Sequence, residues 1–100
     1  MVFRGTVADI IFLDNGMTQV VCKQKVDQKY NHIAFVAFSD TTPLIHQINL
    51  VKGDMVKINY FLRSKKVSDR YYLSAIIEKI LITHKKSPQY SVDMETGEIY

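Results

Sequence analysis

The sequence predicts an all-β domain, a five-stranded Greek-key barrel with one short helix between the third and fourth strands. Three observations carry that expectation. The stretch from Lys52 to Ile82 alternates apolar and polar residues on either side of a short basic segment, the pattern of two long strands that return on one another. Asn15-Gly16 is a hairpin signal between two β-rich segments, because this dipeptide tolerates positive φ at low cost. Thr42-Pro43 opens the one segment with helical spacing.

Val2 to Leu13 is rich in β-branched and aromatic residues and forms the first strand, with Gly5 where it bends sharply. Asp14-Asn15-Gly16 turns the chain into a second strand, Met17 to Gln24. Lys25 to Asn31, polar and basic with Tyr30 near its end, reads as a loop or a frayed hairpin tip. Residues 32 to 39 make a third strand, apolar on both parities. Thr42 is a candidate N-cap and Pro43 fits the first helical position, with Leu44, Ile45 and Ile48 on one face of a helix that ends before Gly53. After the Lys52-Gly53-Asp54 turn, Val56, Ile58, Tyr60 and Leu62 share one face of the fourth strand. Met55, Lys57, Asn59, Phe61 and Arg63 share the other. A loop from Ser64 to Arg70 leads to the fifth strand, where Tyr71, Leu73, Ala75 and Ile77 alternate with Tyr72, Ser74, Ile76 and Glu78. Pro88 ends that region. The domain is expected over 1–86, followed over 87–100 by an acidic tail or a small hairpin at Glu95-Thr96-Gly97-Glu98. Five strands with a helix between the third and fourth is the element order of the OB-fold.

Composition narrows the function. One hundred residues with 47% hydrophobic and 23% charged content make one globular core rather than a disordered chain. Cys22 is the lone cysteine, so no disulfide framework is available, and His32, His46 and His84 do not stand at zinc spacing. No metal or cofactor is expected. Arg4, Asp9 and Asp14 interrupt the N-terminal apolar run, and no stretch approaches a membrane span, so a cytoplasmic protein without a membrane partner is expected. The net charge of +3 hides an asymmetry. Asp93, Glu95 and Glu98 are three of the ten acidic residues, and residues 91–100 hold no Lys or Arg, which leaves 13 cations against seven carboxylates and a net +6 over the first 90 residues. A basic body favours polyanions, and an acidic end can compete for the same surface or serve another partner.

The run Leu50-Val51-Lys52-Gly53-Asp54-Met55-Val56-Lys57-Ile58, followed by Leu62-Arg63-Ser64 and by Asp69-Arg70-Tyr71, resembles the bacterial and phage single-stranded-DNA-binding proteins. The resemblance covers residues 32 to 80 and more loosely the first strands. It implies an OB-fold that binds single-stranded DNA without sequence preference during replication or recombination, and does so without catalysis. Cellular members commonly stack bases on tryptophan. This chain has none, so stacking falls to Phe, Tyr or His. The chain ends in Gly97-Glu98-Ile99-Tyr100 where the family closes an acidic tip with Pro-Phe, and the acidic tail is a candidate contact for replication proteins. The absence of a long Gly- and Gln-rich linker suits a phage or plasmid form.

A non-specific binder needs Lys and Arg along a groove with aromatic rings between them. The outward parity supplies Lys57, Phe61 and Arg63 on the fourth strand, Lys23 on the second, and His32 and Phe38 on the third, Phe38 where the family pattern places a stacking ring. The following loop adds Lys65, Lys66 and Arg70, and Tyr72 opens the outer face of the fifth strand. Each has a blander reading. Lys65 and Lys66 can be a solvated loop, and Phe38 and Phe61 can belong to a core or an oligomer face. Tyr60 and Tyr71, on the inward parity, read as core, and Cys22 as a small buried hydrophobe.

No Gly-rich phosphate loop, G-x-S-x-G elbow or HExxH motif is present, so an enzyme is not expected. Two other classes remain open. An OB barrel can be an adaptor subunit of a replication or other assembly, with Val36, Ile76 and Met55 as its interface. It can also bind RNA, a choice that turns on contacts near the 2′ position. Exposed strand edges favour a homo-oligomer.

Overall fold

A computed structural model describes residues 1–86 of the chain. The expectations for Pro88 and for the tail over 87–100 lie outside the described residues. The elements are β1 (Val2–Phe12), β2 (Thr18–Val26), β3 (Lys29–Ala37), α1 (Thr42–Gln47), β4 (Met55–Val67) and β5 (Arg70–His84). The strands close a barrel in the order β1-β2-β3-β5-β4, antiparallel except where β3 meets β5. The expected fold class is the observed one, a five-stranded barrel with a single helix between β3 and β4.

β1 divides its length between two neighbours. Val2–Thr6 lie opposite β4 and Thr6–Phe12 opposite β2, with a register shift between Val7 and Asp9. Gly5 stands at the changeover. A Cβ there would come within 2.6 Å of the Phe3 ring and 2.7 Å of the Lys23 carbonyl oxygen, so the bare backbone lets β2 cross closely. The inward parity fills the barrel with Phe3 and Val7, Val20 and Cys22, Phe35 and Ala37, Val56 and Ile58, and Ile77. Phe35 is its centre, with ring centroids 5.1 Å from Phe3 and 5.2 Å from Tyr60. Burial pushes the Cys22 thiol up to about 12, so it stays protonated and serves as packing.

The helix differs in detail from the expectation. Thr41, not Thr42, occupies the N-cap position, and Pro43 follows one helical residue later. The Thr42 hydroxyl lies 2.8 Å from that of buried Thr18 and donates to the Phe38 carbonyl, so tertiary bonds take the group that the sequence offers as a cap. Ile45 is buried and Ile48 half-buried, but Leu44 turns outward and is 46% exposed. The helix ends at Gln47 with Ile48 as its C-cap, and Asn49 just beyond has a left-handed φ of 54°. The Asn49 and Leu50 amides donate back to the His46 and Ile45 carbonyls, and Leu50 packs into the core beside Ile45.

Asp54 closes this end of the barrel. Its carboxylate is fully buried and accepts from the Val51 amide at 3.0 Å, the Lys86 amide at 2.8 Å and the Lys85 ammonium at 2.8 Å. Its backbone carbonyl accepts from Val7, while the Gly53 amide donates to the Val7 carbonyl. One turn therefore joins β1, the helix exit and the chain just after β5. Burial opposes ionisation of Asp54, but Lys85 and the two amides outweigh it and hold the carboxyl below its ordinary 3.8.

Two segments read as loops are strands. β2 and β3 pair as far as Val26 and Lys29 across the two-residue turn Asp27-Gln28, where both residues have positive φ. β4 and β5 pair as far as Val67 and Arg70, so the expected loop from Ser64 to Arg70 shrinks to Ser68-Asp69. Polar side chains on both faces disguise these segments, because a strand that leaves the barrel has no buried face to make apolar.

Asp54→Asn is predicted to lower stability by about 2–3 kcal/mol, the order expected when a buried charge-assisted network loses its acceptor. A depressed folded value means that the contribution is complete above pH 3.8 and is lost as the pH falls through the folded value. Urea unfolding of both proteins from pH 7 to pH 2 should show a constant gap that narrows only below about pH 4. A gap independent of pH throughout would remove the carboxylate from this role.

Candidate nucleic-acid interface

β3 and β5 touch only at Phe35–Ala75 and Val36–Ile76. From this root the β2–β3 and β4–β5 hairpins diverge as two arms, each extending about 20 Å at the rise of a strand. The radius of gyration is 16.0 Å, against about 12–13 Å for a compact domain of 86–100 residues. Along Lys29–Ala34 and Arg70–Ser74 the two strand edges on the fork's inner side carry no partner strand among the described residues.

Pairing fixes which side chains share the outer face of β2-β3-β5-β4. Lys23 lies opposite His32, Phe61 opposite Ile76, Arg63 opposite Ser74, and Lys65 opposite Tyr72. Met17, Val36, Phe38, Arg63, Lys65, Ser74 and Ile76 line an open groove of about 300 Å³ on this face. Val36 and Ile76 are its apolar floor. Phe38, Arg63 and Lys65 are its walls, with the Arg63 guanidinium 5.7 Å from the Phe38 ring centroid. On the β2–β3 arm the Lys23 ammonium sits 5.0 Å from the Tyr30 ring centroid. These pairs hold a cation beside an aromatic ring, the arrangement that suits a phosphate next to a base.

Of the residues that the sequence singles out, Lys23, His32, Phe38, Phe61, Arg63, Lys65 and Tyr72 share this face, and Arg70 joins it at the tip of the β4–β5 arm. Lys66 does not. It lies opposite Tyr71 on the reverse side of the arm, its ammonium 5.8 Å from that ring. Lys57 is separate too, flanked by Arg4 and Leu81 and about 20 Å along β4 from Arg63. Phe38 is half-buried and Phe61 40% exposed, so neither is a core residue. Tyr60 packs on the core as expected, but Tyr71 is 71% exposed. The inward parity persists along β5, yet Tyr71 stands beyond the barrel, where there is no interior to enter. Ile76 forms the groove floor at 3% exposure, which removes it as an adaptor surface, while Met55 remains exposed.

Tyr30 and Tyr71 are absent from the residues that the sequence singles out. Tyr30 falls in a segment that reads as loop, and Tyr71 has core parity; the usable signal is the Asp27-Gln28 turn, which puts Lys25 opposite Tyr30. Among the described residues no group of three or more His, Cys, Asp or Glu gathers to hold a metal, and no helix is long and apolar enough to cross a membrane. Tyr71→Ala and Tyr72→Ala are predicted to change stability by under about 0.5 kcal/mol, as for open surface positions. Tyr60→Ala should cost about 3 kcal/mol. Thermal unfolding of the three variants checks the division; a large loss from Tyr71→Ala would put that ring back in the core.

No protein-family profile matches the chain, and no curated protein matches it by sequence. Solved structures do match by shape. The mitochondrial single-stranded-DNA-binding protein Rim1 of S. cerevisiae aligns with a TM-score of 0.65 at 15% identity, over 88% of this chain and 96% of its own. The dimeric N-terminal domain of the PriB protein from Thermoanaerobacter tencongensis gives 0.62 at 16%, over 85% and 96%. A small single-stranded-DNA-binding protein of Mycoplasma pneumoniae gives 0.59 at 14%, over 87% and 96%. With its strands closed in this order and its one helix between β3 and β4, the chain is an OB-fold barrel, similar in architecture to these small single-stranded-DNA-binding proteins.

Proposed function

We propose that the protein binds single-stranded DNA without sequence preference and protects it in replication or recombination, as a phage- or plasmid-type protein of the cytoplasm with no chemistry of its own. The observation that carries this reading is the outer face of β2-β3-β5-β4, where rings stand beside cations: Arg63 over the half-buried Phe38 in the groove, Lys23 over Tyr30 on the β2–β3 arm, and Lys65 opposite Tyr72 on the β4–β5 arm. Phosphates need the cations and unpaired bases need the rings. An adaptor surface would need a broad apolar patch, and the groove's apolar floor lies between charged walls. Two of the structural neighbours are named for single-stranded-DNA binding, which supports the same reading.

The protein acts as a homo-oligomer. Val2–Gly5 pair with β4 on one side and with no strand on the other among the described residues, so an open edge is available to a second copy. The dimeric neighbour supports this. Light scattering should return the mass of two or more chains; the mass of one chain at high concentration would exclude it. The acidic tail is the proposed contact for replication proteins.

The binding test is fluorescence anisotropy with labelled oligo-dT, a matched RNA and a matched duplex at several salt concentrations. Oligo-dT should bind most tightly, with a log–log salt slope of about −0.7 per neutralised phosphate. Phe38→Ala and Phe61→Ala should each weaken it by about 1–3 kcal/mol while leaving the fold intact. Tighter binding of the RNA would make RNA the ligand. No binding to any of the three at low salt would sink the proposal and leave the adaptor reading.

A further inference from the structure

The fold carries a second cationic surface that the groove does not use. On the outer side of β1-β4-β5, Arg4 stands directly opposite Lys57, Lys57 opposite Leu81, and Asn59 opposite Lys79. Lys57, Asn59, Lys79 and Leu81 line a shallow depression of about 70 Å³. Like charges on facing positions of an antiparallel pair repel. No ion pair among the described residues relieves them. The stretches Val2–Thr6, Met55–Asn59 and Lys79–His84 hold no Asp or Glu, the exposed Glu78 beside Lys79 at the β4–β5 register shift forms no ion pair, and the two ion pairs present, Lys52–Asp9 and Lys85–Asp54, involve none of these cations. The repulsion contributes nothing to folding.

We infer that this face binds the phosphodiester backbone of the same single strand that occupies the groove, as the strand continues along β4 past Phe61. Two observations select this occupant. The cations are complementary to a polyanion, and the face follows the groove along β4: Phe61, opposite the groove-floor residue Ile76, and Lys57 share that strand's outward parity about 13 Å apart. The contact is to phosphate and not to bases. Phe3, the one aromatic residue in the Val2–Thr6 and Met55–Asn59 stretches, points into the core, and Leu81 and Asn59 offer no ring. The face therefore adds salt-dependent affinity and no base preference. The inference rests on the groove's being a single-strand site.

The test uses the full chain and its Lys57→Gln/Lys79→Gln variant, with an oligo-dT short enough to fill only the groove and another several times longer. For the wild type the log–log salt slope should be steeper with the long oligonucleotide. In the variant the long-oligonucleotide slope should fall by about 1.4, that is about 0.7 for each lost phosphate, while short-oligonucleotide affinity is unchanged. Its Tm should be equal or higher, because a cross-strand repulsion has gone. An unchanged long-oligonucleotide slope, with Phe38→Ala still weakening both, would overturn the second face and leave the groove. A fall in Tm would make the lysines structural and overturn it too. Failure of the wild type to bind either oligonucleotide would overturn the groove reading and this inference together.

Discussion

The architecture depends on how briefly β3 and β5 meet. Two residue pairs, Phe35–Ala75 and Val36–Ile76, close the barrel, and they are its one parallel contact. Parallel strands cannot share a tight turn, so each is carried instead by its own hairpin partner, β2 or β4. Strand twist then rotates the two hairpins away from one another beyond the root. If the parallel contact ran further, the arms would zip together, the edges along the fork would be consumed by sheet bonds, and the groove would flatten. The shortness of one interaction thus leaves an open groove and free strand edges where there would otherwise be a closed sheet.

The opposite end of the molecule works by the reverse logic. At Asp54, one carboxylate with no exposure gathers two amides and an ammonium while its backbone holds β1. No fork residue takes part. Packing around Phe35 and the Asp54 network stabilise the barrel, and the arms beyond Leu62 bury almost nothing. Exposure of rings and cations on the arms is compatible with a stable protein because the stability resides elsewhere.

Much of the barrel is legible in the sequence because burial imposes a period of two. Val56, Ile58 and Tyr60 against Lys57, Asn59 and Phe61 can be assigned to their faces by inspection, and the turn at Gly53 follows from its left-handed φ of 95°. Legibility stops where burial stops. The segments 25–31 and 64–70 are strands whose two faces both meet water, so no apolar alternation announces them, and Tyr71 keeps an inward parity that no longer leads inside. The candidate site follows the same boundary. Phe38, Phe61 and Arg63, near the root, share a face as expected, whereas Lys57 and Lys66 have the right chemistry on other surfaces. Sequence parity assigns a face to each residue of one strand. It does not say how far around a closed barrel that face has turned.

The arms have a further property that follows from their pairing. Because successive side chains alternate between faces, inserting one residue in each strand of the β4–β5 arm would move every side chain between the insertion and the Ser68-Asp69 turn to the other face, exchanging Lys65 and Tyr72 for Lys66 and Tyr71. Inserting two in each strand would lengthen the arm by about 7 Å and leave both faces as they are. No core residue constrains either change. In descendants of this chain, arm length is therefore free to drift while the chemistry of the groove is kept, provided that each strand grows or shrinks by even numbers.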